Sequence, residues 1–357
     1  MHPRERILAV LNREPVDRLP VDLWHTPEIV DQLCRHLQVD NEFEMWQALE
    51  LDKIVWNFMD YLSPEGESAG AQVGAQSVGS RTMWGVPVKD VQAGAAVYQE
   101  FTEPPLRGYE VTDLDNYPYW PDPDHFDYDG ADALARRMAP HYAVIGPWVS
   151  FFEIYCQLRG IEQGLMDLAL NPDLVHATLD RIEAIQTEML HRFYQRSADV
   201  TDLGFISDDI GGQKGLLMSP RMWRRHLQPR LKRWCDVLHS YGIQVFYHTD
   251  GGVGPLIPEL LDCGLDVLNP IQHACPGMDT ANLKRLYGNR VIFHGGIDNQ
   301  HVLPFGTVDE VRTEVQYCMD TLGAGGEGYI VCSCHNVQPG TPVQNILAMV
   351  EKVKEPE

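Results

Sequence analysis

Eight short apolar segments recur along this chain, each followed by a stretch with helix signals, and that alternation admits few architectures. The segments are residues 19–23, 54–58, 143–147, 200–206, 244–248, 266–269, 291–294 and 328–331. Each reads as nearly continuously apolar rather than alternating, which suits strands of a parallel sheet covered on both faces. Eight such strands predict an α/β fold, a (β/α)₈ TIM barrel forming one domain over residues 1–357. The helices between them are well marked. Asn171-Pro172 and Ser219-Pro220 place a capping residue before a proline at the first helical position. Thr307 and Glu310 have capping-box spacing, Thr341-Pro342 opens a last helix, and Pro229 predicts a kink. Residues 64–110, rich in Gly, Ser, Val and Pro, depart from the alternation and read as a β-hairpin excursion over one barrel end. Residues 115–130 read as a Pro/Asp/aromatic loop.

Composition narrows the function. With 51 acidic against 28 basic side chains the formal net charge is −23. Phosphate backbones need concentrated Lys and Arg, so a nucleic-acid partner is not expected. No run of roughly 18 apolar residues is present, so no membrane span is expected. The opening MHPRERILAVLNREP reads as a short amphipathic helix with Ile7, Leu8 and Leu11 on one face, not as a signal peptide. The eight scattered cysteines read as free thiols in a reducing cytoplasm. A small-molecule substrate is the expected partner, with self-association left open.

In a barrel of this kind catalytic groups lie in the loops that follow the strands. The positions just past each predicted strand supply a polar series: Trp24 and His25; Glu153; Asp208, Asp209 and Gln213; His248 and Asp250; Asn269 and Gln272; His294 and Asp298; Cys334 and His335. One polar stop after a strand means little, whereas carboxylates, imidazoles and amides after at least six strands single out one end. Each has a plainer alternative. Asp208-Asp209 either caps a turn or manages protons, since adjacent carboxylates repel and one is poised for transfer. Glu153 either pairs with Arg159 or acts in catalysis. His248 either satisfies a backbone group or works in the site. His294 precedes Gly295-Gly296, where backbone can approach a ligand closely.

Several segments carry a resemblance: RERILAVLNREPVDRLPV, LALNPDLV, HTDGGVGPLIPELLDCGLDVLNPIQ, FHGGID and HNVQPGTPVQNI. On these the chain resembles the uroporphyrinogen decarboxylase superfamily over almost its whole length. The resemblance implies a barrel with a deep pocket and one of two activities: decarboxylation of uroporphyrinogen, or methyl transfer between a corrinoid protein and a small acceptor. The decarboxylases carry an Arg-Gln-Ala-Gly-Arg stretch after the first strand, and here Leu23-Trp24-His25-Thr26-Pro27 stands instead. The methyltransferases bind zinc through a His-x-Cys pair and a later Cys. This chain keeps His248, has Asp250 for the first Cys, and has His335 at the third position with Cys334 just before it.

The resemblance therefore implies a corrinoid-dependent methyltransferase, with methylcobalamin carried on a partner protein and zinc as the candidate metal. Its metal residues would be His248, Asp250 and His335, with Cys334 as an alternative ligand. Its acid/base residues would be Glu153, Asp208, Asp209 and His248. Trp24, His25, Gln213, Asn269, Gln272, His294 and Asp298 would line the pocket. A His/Asp/His set leaves about one positive charge on a divalent ion, so it suits Lewis-acid work better than thiolate activation. Either the acceptor is then no simple thiol, or Cys334 swings in, or the groups do acid/base work without metal. The alternatives are a decarboxylase of a small carboxylic acid, with Asp208 stabilising a cation and His335 on the carboxylate, and a non-catalytic binding protein.

Overall fold

Seven of the expected strands lie side by side in one parallel sheet. They are β1 (Ile54–Trp56), β2 (Ala143–Val149), β3 (Leu203–Ser207), β4 (Gln244–His248), β5 (Val267–Asn269), β6 (Ile292–His294) and β7 (Tyr329–Ile330), in that order. The computed structural model describes residues 1–62, 68–71, 81–93 and 96–355. The strands follow chain order without a swap, so every connection crosses over through the segment between them. All seven positions of β2 and all five of β3 are buried, as a sheet covered on both faces requires. One core cluster takes in side chains from Ile7 to Val353.

The segment expected as the first strand, residues 19–23, is reduced to a single parallel bridge between Val21 and Val331. The reason is local. Pro20 has no N–H to give, and the Asp22 carboxylate accepts the amides of Leu23 (2.8 Å) and Ile54 (3.4 Å), taking donors a ladder would use. The backbone still meets both edges of the sheet. Asp22 N donates to Val331 O at 2.8 Å, and Asp52 N donates to Val21 O at 2.8 Å.

Helix punctuation follows the sequence closely. The first helix, Pro3–Leu11, buries Ile7 and Leu11. Ser219 accepts from Met222 N ahead of Pro220–His226, and Thr307 and Glu310 complete their capping box ahead of Val308–Thr321. At Asn171 the position is right but the side chain does not cap: it donates to Asp167 Oδ1 instead. Pro229 breaks the chain into two helices, Pro220–His226 and Gln228–Ser240, where a kink was expected. Within the excursion at 64–110, Val88–Ala93 pairs antiparallel with Ala96–Phe101. Residues 63–67, 72–80 and 94–95 lie outside the described residues. Among the described residues no helix is long and apolar enough to cross a membrane, and all eight cysteines are free thiols.

At the N-terminal end of the strands an ion network ties the first helix to β1. Arg6 bonds Asp17 at 2.7 Å and also the fully buried Asp52, which holds Arg18 at 2.6 Å and Val21 N at 3.0 Å. Removing one member leaves buried charge unpaired, which costs roughly 3–5 kcal/mol. Asp52→Ala is therefore expected to lower unfolding stability by about that amount in urea titrations. The exposed Glu351→Ala should stay within about 0.5 kcal/mol of the parent.

Candidate functional site

The polar residues gather at the C-terminal ends of the strands. His248, Asn269 and His294 are the last residues of β4, β5 and β6, and Ser207 is the last of β3. Ser207, His248 and Asn269 lie at one level of the sheet by register. Beyond them His248, Asp250 and His335 each offer a donor atom, and those atoms lie within 4.8 Å of one another. His248 Nε2 is 4.0 Å from Asp250 Oδ1. Burial, and the neighbouring His248, push the His335 imidazole below its usual pKa, so it is neutral near pH 7. Burial pushes the Asp250 carboxyl up, with Asp209 adding to that and His248 opposing it.

Cys334 stands apart from this trio. Its Sγ donates to Ile271 O at 3.4 Å, and burial pushes its thiol well up. Two other groups have metal-like donors: Asp22, His294 and Cys332, and His273, Glu314 and Cys318. In the latter, His273 and Glu314 already satisfy one another at 2.6 Å.

The loops that carry the site are joined by backbone. Asp209 Oδ1 accepts from Asp250 N at 2.7 Å, and Gly252 N donates to Gly212 O at 3.0 Å. Gly251 sits at φ +85°, and a Cβ there would lie 2.5 Å from Gly212 N, so only glycine permits this approach. Gln272 adds a clamp, accepting from Gly251 N at 2.8 Å and from Gln213 while donating to Asp250 Oδ1 at 3.2 Å.

Trp24 is 3% exposed and packs against His248 (ring centroids 5.6 Å apart) and His294 (5.5 Å) rather than lining an open wall. His25 Nε2 is 3.4 Å from Glu42, and burial with Lys53 nearby lowers its pKa to about 4. Asn269 and His294 are fully buried behind His248. Asp298 holds its own loop through Gln300 N and His301 N.

The two adjacent aspartates divide their work. Asp208 is buried, and its Oδ1 accepts from Ser150 Oγ (2.8 Å) and from the amides of Phe151, Phe152 and Glu153. It thus caps the helix Phe152–Arg159, whose N-terminus favours an anion. Burial pushes its pKa up to about 7, and those donors pull the other way. Asp209 instead faces a cavity of about 530 Å³ shared with Glu153, Cys156 and apolar groups such as Phe152, Ile161 and Leu217. No basic side chain is among the described residues lining it.

Glu153 is not paired with Arg159, which bonds Asp167 at 2.8 Å. It takes one hydrogen bond, from Ser207 Oγ at 2.5 Å. Burial, then the charges of Asp209 and Asp208, push its pKa well up, so it holds a proton where ordinary carboxyls have lost theirs.

Sequence reasoning missed Asp22 and Lys53. Asp22 Oδ1 bonds Lys53 Nζ at 2.9 Å, and Asp22 Oδ2 receives His294 Nε2 at 3.2 Å. An acid inside the apolar run PVDLW was the available signal.

The uroporphyrinogen decarboxylase (URO-D) family profile matches residues 90–356. The chain belongs to the URO-D family. Within reach of this family lie both kinds of relative. A methylcobamide:CoM methyltransferase from Methanosarcina barkeri is 24% identical over 217 residues, which is 61% of this chain and 59% of that protein. A uroporphyrinogen decarboxylase from Thermus thermophilus is 29% identical over 171 residues, 47% of this chain and 46% of that one. The matched stretch thus spans less than two thirds of either relative. A solved methyltransferase from Methanosarcina mazei superposes over 99% of this chain and 98% of its own, with a TM-score of 0.66 at 18% identity, which establishes that the two share a fold. Methyltransferases and decarboxylases thus both stand among the relatives this chain is similar to.

The protonated Glu153 gives a pH prediction. Its folded pKa lies above the unfolded value of about 4.5, so the folded state binds the extra proton and stability falls as pH rises above that value. The slope contributed is at most about 1.4 kcal/mol per pH unit. Glu153→Gln should flatten this decline, so melting curves from pH 5 to 9 should diverge in favour of the variant. Parallel curves would remove the raised carboxyl.

Proposed function

We propose that this chain is a corrinoid-dependent methyltransferase, moving a methyl group between a corrinoid protein and a small acceptor. We take residues 1–357 as one barrel unit, with residues 19–23 as its eighth stave. The observation that carries the reading is the convergence of His248, Asp250 and His335 above the strand ends, inside a family whose relatives include methyltransferases. These three residues would hold a divalent metal, with zinc the candidate. Two neutral imidazoles and a carboxylate are an acceptable donor set. His335 Nδ1 accepts from Asn336 N at 2.8 Å, so the neutral ring carries its proton on Nε2. Either nitrogen becomes a ligand only once that contact is given up. The ion would supply Lewis-acid polarisation of the acceptor.

The chain's own groups supply the rest. Glu153 keeps a proton and Asp209 faces the same cavity, so the pair is suited to proton exchange with a bound acceptor. Asp208 anchors the Phe152–Arg159 helix that carries Glu153. Gln272 and Gln213 hold Asp250 and its loop in place. Decarboxylation of uroporphyrinogen itself fits less well. The arginine stretch is absent, the Glu153–Asp209 cavity has no basic lining among the described residues, and Lys53 is already bound to Asp22. A substrate with many carboxylates would meet the Asp209 carboxylate there with no basic side chain to offset it.

Protein purified without a histidine tag should contain about one zinc per chain by elemental analysis and should demethylate methylcobalamin in the presence of a suitable acceptor. His248→Ala and His335→Ala should lose the metal and at least about 100-fold in rate, with melting temperatures close to the parent. Metal-free protein with both variants fully active would overturn the reading. In a direct assay the protein should not convert uroporphyrinogen to coproporphyrinogen, and efficient turnover would restore the decarboxylase.

A further inference from the structure

A line of side-chain hydrogen bonds runs from the sheet interior to His248. Lys53 Nζ meets Asp22 Oδ1 at 2.9 Å, Asp22 Oδ2 meets His294 Nε2 at 3.2 Å, His294 Nδ1 meets Asn269 Nδ2 at 2.8 Å, and Asn269 Oδ1 meets His248 Nδ1 at 2.6 Å. Asp22, Asn269 and His294 have no solvent exposure, so bulk solvent does not reach these contacts.

The polarity of the line is fixed at one atom. Asn269 Nδ2 also lies 3.4 Å from the backbone carbonyl of His294, which only accepts. The amide therefore presents its NH₂ to His294 and its oxygen to His248. Turning it over would set Asn269 Oδ1 against that carbonyl, oxygen to oxygen, in a site with no solvent exposure. A carbonyl oxygen only accepts, so the His248 proton sits on Nδ1. His294 Nδ1 accepts, so its proton sits on Nε2 and is donated to Asp22. Asp22 in turn collects Lys53 Nζ, Leu23 N and Trp24 Nε1, the donor company of an ionised carboxylate.

The geometry points to Asp22, His294 and Asn269 as positioning residues that lock His248 in the Nδ1–H tautomer and aim a bare Nε2 at Asp250 and His335. This rests on the reading of His248 as a working group and deepens it. A bare Nε2 is what a metal ion or a transferred proton requires, and an imidazole left to itself would populate both tautomers. Asn269 and His294 thus act through His248 and not by touching substrate.

The test is nitrogen NMR of the full chain with ¹⁵N-labelled histidine, as isolated and after EDTA treatment. The His248 resonances should show a proton on Nδ1 and none on Nε2 in both samples. Asn269→Leu, close to the same shape, should release His248 into a mixture with Nε2–H prominent and weaken zinc binding by about 10- to 100-fold. His294→Gln, which can still accept from Asn269 and donate to Asp22, should keep the parent tautomer, whereas His294→Leu should not. That second pair decides the matter if Asn269→Leu does not fold. A parent His248 protonated on Nε2, or a tautomer unmoved by Asn269→Leu and His294→Leu, would overturn the proposal. The spectra are read without substrate, so a locked His248 in a protein with no methyl transfer would defeat the proposed function and leave the relay standing.

Discussion

The ion pair of Lys53 and Asp22 is the constraint around which the site is built. Two opposite charges lie almost without exposure between the bridging segment and β1. Burial of this kind is tolerable only when every lone pair and proton finds a partner. Asp22 meets that demand with the amides of Leu23 and Ile54, the Trp24 indole, the Lys53 ammonium and His294. Burial alone would push its carboxyl up, yet Lys53 and His294 hold it well below the usual range. The same carboxylate therefore shortens the first strand, seats Trp24 beneath the histidines and sets the direction of the line that ends at His248.

The alternation of strands and helices was legible because hydrophobic periodicity is a local property. β1 to β7 fall on the expected segments, and Thr307 and Ser219 cap as their spacing indicates. His248, Asp250 and His335 were legible as polar positions at strand ends, and the family resemblance singled them out from the others in that series. What escaped is non-local. Asp208 caps a helix more than fifty residues earlier in the chain, which no window on the sequence reveals. Asn269 and His294 looked like pocket-lining groups because a strand end places them near the mouth. Whether such a side chain points to the ligand or to the residue behind it depends on neighbouring strands. Asp22 was hidden for another reason: its partners beyond Leu23 and Trp24 come from two segments distant in sequence, at 53–54 and 294, and the apolar run around it suggested an ordinary strand.

Electrostatics divides the molecule in two. At the N-terminal end of the strands, arginines 6 and 18 neutralise aspartates 17 and 52. At the other end Glu153, Asp209 and Asp250 crowd together, and burial, with the neighbouring carboxylates adding to it, raises the pKa of Glu153 and Asp250. Function-bearing ends are where such uncompensated groups persist, because the remainder of the fold can supply the stability they lack.

The close approach of Gly251 to Gly212 has an evolutionary and engineering consequence. With the two backbones in contact, and Asp209 gripping the amide of Asp250, the loops after β3 and β4 cannot diverge independently. A bulkier residue or an insertion in one displaces the acid presented by the other. Altered specificity in this scaffold should therefore arise through paired exchange of both loops as a single cassette, and a graft of either alone should yield a folded but inert protein.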